Sequence, residues 1–115
     1  MKPKFAQIIL AASIIVSFSS QADGAAIVKA NNTDALNLTT SWTGGGVPGT
    51  ADIAVWDATI IANQTAALGA SLSWSGIDMS NVGGDITVGA TAGGTLTLGA
   101  DGFTSATAKW ITIGS

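Results

Sequence analysis

The sequence contains no cysteine, no histidine, no arginine and no glutamate. Without cysteine there is no disulfide to compensate for small size, although that is the usual device of small exported domains. Without histidine or cysteine the familiar nucleophile–base triads and dyads cannot be assembled. The only basic side chains after residue 22 are Lys29 and Lys109. They stand against Asp23, Asp34, Asp52, Asp57, Asp78, Asp85 and Asp101. Such an acidic chain cannot neutralise a phosphate backbone, which argues against a nucleic-acid partner. It also lacks a basic amphipathic segment for an anionic membrane surface.

The first residues read as a secretory signal. Lys2 and Lys4 form a positive start, Phe5 to Phe18 is uncharged and mostly apolar, and Ser19-Ser20-Gln21-Ala22 supplies small residues for a peptidase. The apolar run is shorter than the roughly 18–20 residues that span a bilayer. The expected cut follows Ala22, with Ala26 as the alternative. This places the protein on the general secretory route, bound for the periplasm, the outer-membrane surface or the medium.

Beyond the leader, residues 23–40 carry weak signals: Ala25-Ala26-Ile27-Val28 as a first strand, Asn31-Asn32-Thr33-Asp34 as a turn. The glycine-rich stretch Gly44-Gly45-Gly46-Val47-Pro48-Gly49 is a loop. Ile53-Ala54-Val55-Trp56 alternates as a strand, and Thr59-Ile60-Ile61 reads as another. Asn63-Gln64-Thr65 reads as a turn, and the alanine-rich residues 66–70 as one helical turn. Ser71-Leu72-Ser73-Trp74-Ser75 alternates cleanly, with Leu72 and Trp74 on one face.

The strongest pattern is a phrase that returns three times: Ile86-Thr87-Val88-Gly89, Leu96-Thr97-Leu98-Gly99 and Ile111-Thr112-Ile113-Gly114. Apolar–Thr–apolar alternation stopped by glycine marks a half-buried strand. The segments beginning at Gly76 and Gly102 lead to the first and third copies in near register, at a spacing of about 25 residues, the range of repeat arrays. The fold class expected is all-β, a short right-handed parallel β-helix. Its rival is an antiparallel hairpin stack turning at Ala92-Gly93-Gly94 between Ile86 and Leu96. In either arrangement Ile86, Val88, Leu96, Leu98, Ile111 and Ile113 face inward, and Thr87, Thr97 and Thr112 face outward.

Residues from Trp42 through Val47-Pro48-Gly49 to Asp52-Ile53-Ala54-Val55-Trp56-Asp57 resemble the opening of exported bacterial proteins with autotransporter-associated β-strand repeats. Gly76-Ile77-Asp78-Met79-Ser80 and Leu96-Thr97-Leu98-Gly99-Ala100-Asp101-Gly102 resemble that family's repeat phrases. The resemblance spans roughly residues 40–115. It implies a long parallel β-helix displayed on the cell surface or released. Members are usually far longer, so the domain expected over 41–115 is a truncated one, following a leader (1–22) and a weakly structured lead-in (23–40).

The remaining polar residues offer little chemistry. Asp52 and Asp57 flank an extended strand, which sets their Cα atoms about 17 Å apart, too far for the paired carboxylates of glycoside hydrolysis. Stacked coils leave room for Asp78 and Asp85 to approach each other, but nothing in the sequence brings them together. Each aspartate reads as a turn residue. Gly83-Gly84-Asp85 is only a fragment of a calcium-binding nonapeptide, and Gly89 to Gly94 lacks the lysine of a phosphate loop. Lys109 reads as a solvated strand end. Asn31, Asn37 and Asn63 each open an Asn-x-Ser/Thr triplet, read as coincidence. Of Trp42, Trp56, Trp74 and Trp110, core packing is the first expectation. Trp56 and Trp110 lie opposite their strands' aliphatic residues and are the candidate carbohydrate contacts.

The expected protein is therefore a non-catalytic exported structural segment for surface display or adhesion, with no cofactor or metal. Its partners would be surface polysaccharide, downstream repeats of the same chain, or another copy through an open β edge. The alternative is a carbohydrate-binding or polysaccharide-cleaving β-helix module.

Overall fold

The computed structural model describes residues 24–106 and 108–114, so the leader assigned to 1–22 lies outside the described residues. Seven strands follow one another: β1 (Ala26–Val28), β2 (Ile53–Val55), β3 (Gln64–Ala67), β4 (Leu72–Met79), β5 (Ile86–Gly89), β6 (Leu96–Ser105) and β7 (Ile111–Ile113). They form two parallel sheets, β1-β2-β4-β6 and β3-β5-β7. The chain passes from one sheet to the other and back, one layer further on each time. This is a β-solenoid of about four turns. A single 3-10 turn, Thr39–Ser41, is the only helical element among the described residues.

Register explains why the three strand phrases recur. Ile86 pairs with Ile111, Thr87 with Thr112 and Val88 with Ile113. Below them Gln64, Thr65 and Ala66 pair with Ile86, Thr87 and Val88. Strand alternation then sends one set of columns into the lumen and the other to solvent. In the other sheet Ile27, Ala54, Ile77 and Phe103 form one lumen column across four layers. The second phrase, Leu96-Thr97-Leu98, stacks on Leu72-Ser73-Trp74 instead. Ile86 and Leu96 thus lie in different sheets, and the hairpin turning at Gly93-Gly94 does not form.

Three local expectations are corrected. Gln64 to Ala67, read as a turn leading into a helical turn, is strand β3, because Ala66 fills the lumen beneath Val88. Gly69, at φ +83°, then stops regular structure. Thr59-Ile60-Ile61, read as a strand, is a turn: the Asp57 carboxylate accepts both the Thr59 N–H and hydroxyl, and only Ile60 points inward.

The core is the lumen. Three indoles fill its N-terminal half: Trp42 meets Trp56 edge-on at a centroid distance of 5.7 Å and Trp74 at 5.6 Å, and Trp56 lies 6.1 Å from Trp74. Ile60, Ile77, Met79, Val82, Ile86 and Val88 fill the remainder. The segment 29–42 closes the N-terminal end. Leu36 and Trp42 insert there, and the Trp42 indole N–H donates to the Leu36 carbonyl at 2.9 Å. Gly76 borders a β-bulge in β6, where Gly99, Ala100 and Asp101 lie opposite the single residue Ser75 of β4. A side chain at Gly76 would collide with Asp101 and the Gly102 carbonyl.

Candidate functional site

Two surface features are candidates for contact with another molecule. The first is a groove of about 590 Å³ lined by Gly24, Ala26, Ala51, Ile53, Ser75, Ala100 and Asp101. It runs over the corner where the chain enters β1, β2 and the second half of β4. Its floor is made of small residues because successive layers approach closely there; a Cβ on Gly24 would fall on the Ala51 carbonyl. Its polar pair is the Ser75 hydroxyl, which donates to the Asp101 carboxylate.

The second feature is the outer face of β3-β5-β7. Thr65, Thr87 and Thr112 form one outward column there, with Asn63, Asp85 and Trp110 stacked beside it. Trp110 is 69% exposed on this face. Of the two indoles proposed as carbohydrate contacts, it alone is accessible. Trp56 is 1% exposed within the lumen. Its ring lies two positions after Ala54, on the same lumen face, against Trp42 and Trp74. The wrong face came from taking Ile53 and Val55 as the inward pair; in β2 it is the small Ala54 that faces the lumen, and alternation from it buries Trp56.

Four of the acidic side chains, Asp52, Asp57, Asp78 and Asp85, accept backbone N–H groups. The Asp52 carboxylate accepts the N–H groups of Ala25 and Gly49, both at 2.8 Å. These bonds favour the charged form and hold its pKa below the ordinary carboxylate value. The hydroxyl and N–H of Thr59 do the same for Asp57. Asp78 accepts the Ser80 N–H, and Asp85 accepts the Trp110 N–H. Among the described residues no group of three or more acidic, histidine or cysteine side chains is placed to share a metal ion.

Both lysines among the described residues are also committed. Lys109 donates to the Gly83 carbonyl at 3.0 Å, tying the last layer to the one beneath. Lys29 is fully buried. Its ammonium donates to the carbonyls of Ala30 and Asn32 and to the Asn32 amide oxygen, at 2.8–2.9 Å. Burial lowers its pKa, and the charge of Asp34 partly offsets this. The signal was present: alternation from Ile27 places residue 29 on the inward side, and the following Asn31-Asn32 supplies acceptors.

No protein-family model, curated protein or solved structure matches this chain.

Proposed function

We propose that this chain is a non-catalytic structural segment, exported through the secretory route and used for surface display or adhesion in the manner of autotransporter-like proteins. The observation that carries the reading is the assignment of its polar groups. Asp52, Asp57, Asp78, Asp85, Lys29 and Lys109 are each engaged in turns or in bonds to backbone. What the solenoid leaves free is surface: a regular wall of threonine and serine hydroxyls. The leader-like sequence of residues 1–22 supports export, and the phrase from Trp42 to Asp57 supports the family comparison.

The test is fractionation of cells expressing the full 115-residue chain, with intact mass measured in each fraction. The reading expects a product beginning at Asp23 in the periplasm, the outer membrane or the medium. A full-length product held in the cytoplasm would defeat export.

One observation favours a second reading, carbohydrate binding without cleavage. Trp110 is an open indole beside the threonine column and Asp85, the combination of flat apolar platform and hydrogen-bonding edge that suits a sugar ring. A polysaccharide panel titrated against tryptophan fluorescence tests it. Binding that disappears in Trp110→Ala supports it, and a flat response across the panel removes it.

A further inference from the structure

The segment that closes the N-terminal end is knitted within itself. The Lys29 ammonium donates to Ala30 and Asn32. The Asn32 amide donates to the Thr40 carbonyl at 2.9 Å, and the Ser41 hydroxyl to the Asp34 carbonyl at 2.7 Å. The Ala30 N–H donates to the Ser41 carbonyl and the Thr43 N–H to the Val28 carbonyl, both at 2.8 Å. Its buried polar side chains, Lys29 and Ser41, thus have partners on the segment itself.

Its hold on the rest of the solenoid is made through surface. β1 lies in register along β2, from Ala26 against Ile53 to Val28 against Val55. The Lys29 N–H donates to the Val55 carbonyl and the Leu36 N–H to the Ala67 carbonyl, each at 2.8 Å. The Gln64 amide donates to the Asn31 side chain at 3.2 Å. Leu36 and Trp42 are buried, and the Trp42 ring meets Trp56 and Trp74 edge-on.

The covalent tie between the two parts is thin. Thr43, Gly44, Gly45 and Gly46 make the longest exposed run among the described residues, set between buried Trp42 and buried Pro48. A Cβ on Gly44, Gly45 or Gly46 would meet nothing within 4 Å. Within the run the N–H groups of Thr43 and Gly45 turn back to Val28 and Trp42. Exposed loop tips of small and polar residues are where endoproteases nick a folded chain.

We infer that residues 43–46 are an endoproteolytic site, and that residues 24–42 form a plug that stays seated after the cut. The plug is then a ligand of the lumen end, held by contact and not by the chain. Hydrolysis of one peptide bond in the run consumes one water and leaves a carboxylate on the plug and an ammonium on the wall. Every plug-to-wall contact named above lies outside the run and survives. What the cut removes is the tether, and with it the high effective concentration that a short connection supplies. The inference rests on the fold alone; failure of export would leave it standing.

The experiment uses the full 115-residue chain carrying Gly46→Lys, which puts a trypsin site in the exposed run. Lys29, 0% exposed, reports on seating, because trypsin reaches it only when the plug leaves. The bond after residue 46 is expected to be cut at least about tenfold faster than the bond after Lys29. The two pieces are expected to elute together at the intact size with unchanged far-ultraviolet dichroism, and to part in urea. Subtilisin on the unsubstituted chain covers a folding failure of Gly46→Lys; it is expected to cut within 43–46 before the exposed turn at 61–63. Adding Leu36→Ala separates contact from tether. Before the cut Lys29 is expected to stay protected; after it, Lys29 is lost at least about tenfold faster than with Leu36 present. Loss of Lys29 as soon as the run is cut, pieces that part in plain buffer, a subtilisin cut at 61–63 ahead of 43–46, or no effect of Leu36→Ala after cutting would each overturn it.

Discussion

The Asp85 carboxylate accepts the backbone N–H of Trp110, one layer above, at 3.0 Å. Its own N–H is in turn accepted by the Asn63 side chain, one layer below, at 2.9 Å. A corner of the solenoid, where sheet hydrogen bonding lapses, is thus bridged by a ladder of side-chain acceptors. The opposite region uses the same device, with Ser71 accepting the Thr95 N–H and Thr91 the Gly69 N–H.

Asp85→Ala is expected to lower unfolding free energy by about 1 kcal/mol, the ordinary net value of one hydrogen bond. Asp85→Asn retains an acceptor and is expected to recover most of that loss. Urea denaturation of the two variants measures the difference. Equal losses would show that the charge, rather than the acceptor, matters at this corner.

The lumen indoles give a larger and optically visible effect. Trp56→Ala is expected to cost about 3–5 kcal/mol, because it empties the space between Trp42 and Trp74. Trp110→Phe is expected to leave stability nearly unchanged and to remove the component of tryptophan emission that acrylamide quenches most readily. Strong quenching that persists in Trp110→Phe would place a second indole at the surface.

Stability is expected to fall at acid pH. Asp52 and Asp57 have folded pKa values below their ordinary value of 3.8. The unfolded chain therefore takes up protons first, and the stabilisation, complete above the unfolded value, is lost as pH falls through the folded values. Lys29 acts at the other extreme. Its folded pKa lies below 10.5, so the unfolded chain holds the proton longer and stability rises between the folded value and 10.5. Thermal unfolding across pH checks both slopes. Asp52→Asn should flatten part of the acid slope, and Lys29→Met should remove the alkaline rise attributable to that group.

Two glycines separate close packing from plain loop freedom. A Cβ on Gly84 would lie 2.1 Å from the Ala62 carbonyl carbon, whereas one on Gly46 would meet nothing within 4 Å. Gly84→Ala is expected to force adjacent layers apart and destabilise by about 2 kcal/mol or more. Gly46→Ala is expected to be neutral or slightly stabilising. Comparable denaturation midpoints for the two variants would contradict the close approach of the layers.

The regular part of this fold was legible because stacking imposes like on like. Ile86-Thr87-Val88 and Ile111-Thr112-Ile113 resemble each other since each sits directly on the other, and sequence spacing reports the length of a turn. Asp57 and Asp78 were legible as turn residues, each accepting the N–H two positions on; Asp101 instead lies in β6 and takes the Ser75 hydroxyl, and Asp52 and Asp85 also accept from other layers, partners that local pattern does not reveal. What local pattern does not encode is the closure of the N-terminal end. Leu36 and Trp42 are buried by a chain reversal whose only regular trace is the isolated Lys29–Trp42 bridge and a short 3-10 turn. Strand β3 was hidden for a related reason. Gln64 to Ala67 has poor strand propensity and is held extended by its neighbour β5. Of the two indoles marked for ligand contact, Trp110 was placed correctly at the surface. Trp56 was not, because in β2 the larger Ile53 and Val55 face away from the lumen and the small Ala54 faces it, so hydrophobic size pointed to the wrong face.

The bonds between adjacent layers join residues no fewer than 21 and no more than 33 positions apart. No late part of the chain has to return to its beginning. A polypeptide delivered through a narrow pore, amino end first, would have the closed end out before any other layer. Each further length of about one repeat then brings with it the partners that its own layer requires. Assembly can therefore proceed in the order in which the chain arrives, each completed layer serving as the template on which the next is laid.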